Sequence, residues 1–173
     1  LPPPFASPST GPTAPMESPP PEDGAASPEA RSDTEAVQAI LRANRVNRPV
    51  DGVAVRDDAG RITELYLQEA GISRLTNEIG QLDRLRVLHL YGDPSLGKPL
   101  LAYIDPAIAN CGELETLLAN DNALMVLPNE ITTMNTLENA SFGGNLLGSV
   151  GEPVRSWLDK VDPDWEETQR PIE

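Results

Sequence analysis

The sequence predicts an α/β solenoid, in which short units stack so that their strands form one parallel sheet. In the stretch 114–136, Leu117 and Ala119 are two residues apart, as apolar residues on one face of a strand are. Ile131 and Met134 are three apart, as on a helical turn. A unit that turns from strand to helix within about 23 residues cannot bury its apolar face alone, so it must stack on further copies of itself.

The chain carries such copies. They begin at Ile62, Leu85, Leu114 and Leu137. The spacings are 23, 29 and 23 residues, and we number the copies repeats 1 to 4. Repeat 4 breaks off at Val150, so residues 62–150 are expected to form the repeat region.

Residues 33–61 are expected to cover the open side of repeat 1 as an N-terminal cap. Ser32 and Glu35 form a capping box, which predicts a helix of about three turns that ends within 44–49. Alternating valines, a turn at 57–60 and the strand of repeat 1 then predict a β-hairpin. A first repeat has no predecessor, which is why a helix and a hairpin there are interpreted as a cap.

Residues 151–173 are expected to form a C-terminal helical cap. Pro153 suits the first turn of a short helix whose apolar stripe includes Trp157. Trp157 and Trp165 could be platforms for a ligand, but two aromatic residues just past a final repeat are better interpreted as a lid on its open core.

Residues 1–32 contain ten of the 18 prolines and few large apolar side chains. Such a segment cannot bury enough surface to offset its ordering entropy, so we expect a disordered tether. A proline-rich ligand for a partner domain is the alternative. Deletion of residues 1–30 is accordingly expected to leave thermal stability unchanged. The chain begins with Leu1 and shows no basic, apolar leader, so we expect a mature form or a fragment.

Charge and composition exclude several classes of function. The net charge of −14 opposes binding to nucleic acid or to an anionic membrane. No run approaches the roughly 18 apolar residues of a membrane-spanning helix. His89 is the one histidine and Cys111 the one cysteine, and Cys111 occupies a core position. We therefore expect no catalytic residues, no cofactor and no metal site, and the protein is not expected to be an enzyme.

The repeat region resembles the leucine-rich repeat proteins, specifically the 23-residue type whose second half reads Leu-Pro-x-Glu-Ile. Residues 127–131 match that motif fully, whereas 75–79 lack its proline and 104–108 lack its glutamate. The family's turn asparagine falls at Ala70, Asp93, Asn122 and Asn145. The resemblance implies that Asn122 and Asn145 bond the backbone inside the turn after each strand. The tail looks like that of some bacterial leucine-rich repeat proteins, several of them lipid-anchored.

The outward strand positions define the expected binding surface, since inward and outward residues alternate along a strand. Across the parallel sheet they form three columns: Glu64, Val87, Thr116, Asn139; Tyr66, His89, Leu118, Ser141; and Gln68, Tyr91, Asn120, Gly143. This concave face is expected to contact a partner through Glu64, Tyr66, Gln68, Val87, His89, Tyr91, Leu118 and Asn120.

Repeat 2 carries six extra residues within an insert, 92–103. Insertions in stacked repeats form loops on one face, often the binding face, so we expect Lys98 and Tyr103 to add to the partner surface. The alternative is a surface bulge that packs Leu100 or Leu101 against the core.

These patterns favour a non-catalytic protein-protein interaction module, presented on a flexible tether and expected to be a monomer. Two alternatives stay open: a passive structural domain of the cell surface or envelope, and a recognition domain cut from a larger regulatory enzyme. We expect a location in the cell envelope or outside the cell through a removed signal, with the cytoplasm as the alternative. The sequence does not identify the protein partner.

Overall fold

The computed structural model of the protein describes residues 26–171. Of the disordered tether expected over residues 1–32, residues 1–25 lie outside this part of the chain, whereas residues 28–32 are helical, so the expectation is wrong for them. In chain order, the α-helices and strands within it are α1 (Pro28–Ala43), β1 (Ala54–Arg56), β2 (Ile62–Tyr66), β3 (Arg74–Leu75), β4 (Val87–His89), β5 (Tyr103–Ile104), β6 (Thr116–Leu118), β7 (Asn139–Ser141) and α2 (Val154–Val161).

A five-stranded sheet runs through all four repeats in the order β1-β2-β4-β6-β7. The pairs from β2 to β7 are parallel, and Leu65, Leu88, Leu117 and Ala140 occupy one register across them. β1 pairs with β2 in the antiparallel sense, which confirms the predicted hairpin. The fold is therefore mixed α/β with a parallel sheet, as the apolar spacing predicts.

Each of repeats 1 to 3 continues from its strand into a short 3₁₀ helix. These helices span Asn77–Gln81, Pro106–Asn110 and Asn129–Thr133. Each buries one isoleucine completely: Ile79, Ile108 and Ile131. The three-residue apolar spacing thus reports a 3₁₀ turn, whose side chains repeat every three residues. β3 and β5 form a second, two-stranded parallel sheet.

In repeats 3 and 4, one asparagine in the turn after the strand bonds the backbone of the preceding repeat. The Asn122 carboxamide oxygen accepts from the Leu101 N–H at 2.9 Å, and its nitrogen donates to the Leu90 carbonyl at 2.7 Å. Asn145 repeats the pattern, accepting from Leu124 and donating to the Ala119 carbonyl. Both side chains are buried, so these bonds satisfy backbone groups that water does not reach. The backbone role that the resemblance implies for the two asparagines is observed.

Gln169, which no repeat pattern in the sequence marks, performs the same role for repeat 4. Its side-chain oxygen accepts from the Leu147 N–H at 2.9 Å, and its nitrogen donates to the Phe142 carbonyl at 3.1 Å. A fifth repeat would supply these bonds from an asparagine. Instead, the tail after α2 folds back across the last turn, and the Gln169 side chain, one methylene longer than that of asparagine, supplies these bonds.

α1 begins earlier than the capping box predicts. Ser27 is the N-cap residue, and its hydroxyl accepts from the Ala30 N–H at 3.1 Å. Pro28 follows at the first helical position, where its fixed φ suits the helix and its missing N–H costs nothing. Ser32 lies inside the helix, so the boundary expected at that residue is wrong. Ala30 is 1% exposed, which explains why the helix extends this far.

Deletion of residues 1–30 is consequently expected to destabilise the protein, contrary to the expectation from sequence. Relative to a chain that begins at Ala26, it removes the Ser27 cap and the burial of Ala30. The N-cap alone contributes about 1 kcal/mol, so the loss should be about 1–2 kcal/mol. At about 2–4 °C per kcal/mol for a domain of this size, thermal unfolding followed by circular dichroism resolves it. Equal melting temperatures for the two chains would show that the first turn contributes nothing.

α2 packs against the last strand and the 3₁₀ helix of repeat 3. The Trp157 ring lies 5.7 Å from that of Phe142, and its indole N–H donates to the Met134 carbonyl. Trp165 is 1% exposed, and its N–H donates to Asp159 at 2.8 Å. Both indoles are buried, so neither is a platform for a ligand.

Candidate functional site

The outward residues of the five-stranded sheet form a continuous surface, which we call the strand face. The register places Glu64, Val87, Thr116 and Asn139 side by side, followed by Tyr66, His89, Leu118 and Ser141. Val55 of β1 lies opposite Glu64 and is 44% exposed. It therefore extends the first column by one strand. Val55 is not among the predicted site residues, although the alternation along the hairpin is a signal that could have placed it on this face.

Three rings form an aromatic row on this face. The Tyr66 and His89 ring centroids are 4.8 Å apart at an interplanar angle of 87°, an edge-to-face contact. The His89 and Tyr91 centroids are 5.8 Å apart with the rings tilted by 48°. All three residues are half-buried. Their mutual contacts hold the rings in place without removing them from the surface.

Glu64 fixes one end of the aromatic row. The Tyr66 hydroxyl donates to a Glu64 carboxylate oxygen at 2.5 Å. This hydrogen bond raises the pKa of Tyr66, because the negative charge of Glu64 opposes ionisation of the phenol. Tyr66 therefore stays a neutral donor over the whole physiological range of pH.

His89 lies at the centre of the row. Its partial burial lowers the pKa of the imidazole below the ordinary value, although the nearby carboxylate of Glu64 acts in the opposite sense. The ring is therefore neutral at pH 7. A neutral imidazole between two phenols provides flat contact area and one N–H donor. Within residues 26–171, no Ser, Thr or Cys side chain forms a hydrogen bond with the His89 imidazole.

The two sites predicted on the insert do not both join the strand face. Tyr103 lies in β5, which pairs with β3 in the second sheet, and its hydroxyl contacts Asp105. Lys98 is exposed, and its ammonium donates to the Glu69 carbonyl at 2.8 Å, just beyond the end of β2. Tyr103 is thus separated from the other predicted residues, whereas Lys98 lies at the edge of the strand face.

The insert combines both alternatives that the sequence left open. Leu101 is 1% exposed and belongs to the core, as in the packed bulge. Residues Pro94–Leu96 form a 3₁₀ helix whose first N–H groups are capped by Asp93, which accepts from Ser95 at 2.8 Å. Leu96 is 46% exposed. Asp93 therefore caps the 3₁₀ helix of the insert, whereas Asn122 and Asn145 at the equivalent positions bond the backbone of the preceding repeat.

Carboxylates outnumber cations in the second half of the described chain. Residues 99–171 contain twelve Asp and Glu but three Lys and Arg, whereas residues 26–98 contain eleven and ten. At the start of the strands, Arg86 pairs with Glu115 at 2.7 Å. Past the end of β6, Asp121 is exposed and accepts from the Asn120 amide at 2.7 Å. Within residues 26–171, no group of three or more His, Cys, Asp and Glu has a geometry that could hold a metal ion.

Cys111 is a buried core residue, as its position in the repeat predicts. Its thiol is 3.3 Å from the Ile79 carbonyl, and the residue is 1% exposed. Burial raises the pKa of the thiol to about 12, because the thiolate would lose its solvation. The reactive thiolate is therefore scarce at neutral pH.

Thiol reagents at pH 8 are accordingly expected to label Cys111 only after the protein opens. In the native state the labelling rate should be several orders of magnitude below that of the urea-unfolded chain, and it should rise as urea lowers the free energy of unfolding. The measurement is the appearance of the labelled species by mass spectrometry. Rapid labelling of the folded protein would contradict the burial of this side chain.

Between residues 26 and 171, no helix combines the length and the apolar character needed to cross a lipid bilayer.

Comparison with solved structures identifies the fold. No protein-family profile and no curated protein matches the sequence. The leucine-rich repeat ectodomain of the receptor kinase SOBIR1 from Arabidopsis thaliana is similar with a TM-score of 0.50 at 19% identity, over 82% of this chain and 77% of that one. A leucine-rich repeat protein of Leptospira interrogans gives 0.45 at 18% identity; the match covers 79% of this chain but 39% of that one. Together with the register of the repeats, the similarity to the SOBIR1 ectodomain shows that the chain has a leucine-rich repeat fold.

Proposed function

We propose that the protein is a non-catalytic protein-interaction module, whose strand face is the concave surface of a short solenoid and binds a protein partner. The aromatic row of Tyr66, His89 and Tyr91 carries this proposal. Three adjoining, half-exposed rings are more than the scattered apolar residues that any soluble surface shows.

The aromatic row has the properties of a binding hot spot. Tyrosine is enriched among the residues that dominate binding energy, and it loses little conformational entropy on contact. The ring contacts and the bond from Tyr66 to Glu64 fix the rings before any partner arrives. Ordering costs that oppose association are correspondingly small.

The strand face alone is small for a stable complex. Strands lie about 4.8 Å apart, so five of them span roughly 20 Å. With about four residues each, the projected area is on the order of 250 Å², against about 800 Å² per partner in a standard interface. The partner must therefore also contact the rim. The exposed Leu96 and Lys98 of the insert are the neighbouring surface at the end of the strands.

The two ends of the repeat region support the solenoid interpretation. We assign residues 33–61, together with the first turn of α1, to an N-terminal cap, because α1 packs on the 3₁₀ helix of repeat 1. We assign 62–150 to the repeats and 151–173 to a C-terminal cap, since α2 and Gln169 cover repeat 4. Because apolar surface is covered at both ends, we propose that the protein is a monomer. Residues preceding α1 would act as the tether, in the cell envelope or outside the cell.

The test is capture of a partner by immobilised protein, compared between the wild type and the triple variant Tyr66→Ala, His89→Ala, Tyr91→Ala. The triple variant should lose capture, with a drop in affinity of at least about tenfold, because it removes three anchors from the centre of the interface. Tyr103→Ala is the matched control, since it removes an exposed tyrosine from the other sheet. Circular dichroism confirms that each variant is folded. Unchanged capture by the triple variant would exclude the strand face and leave a passive structural role.

A further inference from the structure

We propose that the segment bound on the strand face is basic, an inference that rests on the proposed function. Its Arg and Lys side chains lie against the aromatic row and pair with carboxylates on both edges of the face. The occupant is a cationic stretch of a protein partner.

Carboxylates flank the strand face at both ends of its strands. Glu64 stands on the face itself, beside Tyr66. At the starts of the strands, Glu115 is 39% exposed beside Arg86, and the equivalent position of repeat 4 is the exposed Glu138. Past the ends of the strands lies the exposed Asp121. An extended segment that crosses the face would pass between these two rows.

The described chain places two cations at the edges of the strand face, and both are already engaged: Arg86 pairs with Glu115, and Lys98 donates to the Glu69 carbonyl. The outward positions of β1, β2, β4, β6 and β7 carry no Lys or Arg. In residues 99–171, Arg155 pairs with Glu166 at 2.5 Å, and Arg170 donates to the carbonyls of Gly144 and Asn122. With twelve Asp and Glu against three Lys and Arg, residues 99–171 carry an acidic excess of nine charges. Such a field attracts cationic partners and repels anionic ones.

The aromatic row suits the same ligand. A guanidinium or ammonium group is attracted to the face of a tyrosine ring, and the attraction strengthens where water is displaced. His89 is neutral at pH 7 and does not oppose a cation. Arg should bind more tightly than Lys, because its planar fork stacks on rings and pairs with a carboxylate through two hydrogen bonds.

The inference predicts a dependence on pH. As pH falls through the lowered pKa of His89, the ring gains a positive charge in the middle of the face, and a basic ligand is repelled. Glu64, Tyr66 and Tyr91 are the titratable groups that face this ring, and Leu118 closes the side toward β6. Tyr66 stays neutral in this range, because its hydrogen bond to Glu64 raises the pKa of the phenol.

The experiment is an NMR titration of the ¹⁵N-labelled protein with short synthetic peptides of alternating Arg and Gly, Lys and Gly, or Glu and Gly. The Arg peptide should shift amide signals of β2, β4 and β6, the Lys peptide should bind more weakly, and the Glu peptide should not bind. Between about 20 and 300 mM salt, the affinity of the Arg peptide should fall by at least about tenfold. Shifts spread over the acidic exterior, α2 included, or no shifts at all, would overturn the inference.

Matched variants localise the effect. Tyr91→Ala and Glu64→Gln should each weaken binding of the Arg peptide by at least about threefold. Tyr103→Ala and Glu130→Gln remove the same groups from outside the strand face and should leave binding unchanged. If the variants on the strand face and the control variants changed the affinity for the Arg peptide equally, the inference would be overturned. If a captured partner requires Tyr66, His89 and Tyr91 but binds through an acidic segment, the basic ligand is excluded while the proposed function stands.

Discussion

Leu117→Asp is expected to unfold the domain. Leu117 is fully buried in β6, in register with Leu88 on one side and Ala140 on the other. The substitution removes an apolar side chain from the stacked interior and puts an unpaired carboxylate in its place. Loss of the leucine alone costs about 2–5 kcal/mol, and burial of the charge adds several more. A domain of this size has a free energy of unfolding of about 5–15 kcal/mol.

Leu118→Asp is the matched control, because the next residue points to the opposite side of the sheet and is half-exposed. The measurement is far-ultraviolet circular dichroism, followed by urea unfolding of whichever variant is folded. The Leu118 variant should remain folded with a loss of about 1 kcal/mol or less, since its carboxylate stays in water. If the Leu117 variant were as stable as the Leu118 variant, the inward and outward assignment of β6 would be wrong.

Asp33→Ala is expected to give the second-largest loss of stability. Asp33 is 1% exposed, and its carboxylate accepts from Arg61 Nε and Nη2 at 2.9 and 3.1 Å and from the Ile62 N–H at 2.9 Å. Arg61 also pairs with Asp83. These bonds join α1 to the first parallel strand. They also raise the pKa of the Arg61 guanidinium, so its charge is permanent.

Removal of the Asp33 carboxylate leaves a nearly buried guanidinium with one partner and a buried N–H with none. Breaking a buried pair in this way costs about 3–5 kcal/mol, which corresponds to roughly 6–20 °C in melting temperature. Asp51→Ala is the control: Asp51 also pairs with an arginine, Arg56, but its side chain is 86% exposed. That variant should lose less than about 1 kcal/mol. Equal losses would show that burial does not strengthen the pair at Asp33.

The sequence predicts the repeat region well, because stacking imposes the same demand on every copy. The spacing of Leu65, Leu88 and Leu117 sets which strand residues pair, and the structure shows that register. The short helical turns follow from the same periodicity, whereas the hairpin follows from its own alternation and turn, and the backbone role of Asn122 and Asn145 from the resemblance to the leucine-rich repeat proteins.

The ends of the domain are less predictable, because their contacts are not repeated. The capping box at Ser32 is a valid local signal, yet Ser27 followed by Pro28 starts the helix five residues earlier, where Ala30 can be buried. Gln169 carries no local pattern that marks it as a substitute for an asparagine. Its role depends on how the tail after α2 returns to repeat 4.

The candidate site is predictable where it follows the strand register and not where the insert intervenes. Tyr66, His89 and Tyr91 lie together because parallel pairing aligns them. Tyr103 lies in another sheet because the insert ends by rejoining the repeat at β5. An insert has no copy elsewhere in the chain, so its path cannot be inferred from the period.

The central claim is that the strand face at His89 binds the partner, and the single histidine of the sequence allows a direct test. The NMR signal of its imidazole is followed against pH, in the free protein and with the captured partner bound. The free ring should titrate below the ordinary pKa of about 6.5, in the direction that burial imposes. On binding, its signal should shift and its pKa should fall further as the face is desolvated. An imidazole signal and pKa that stay unchanged at saturation would contradict the account.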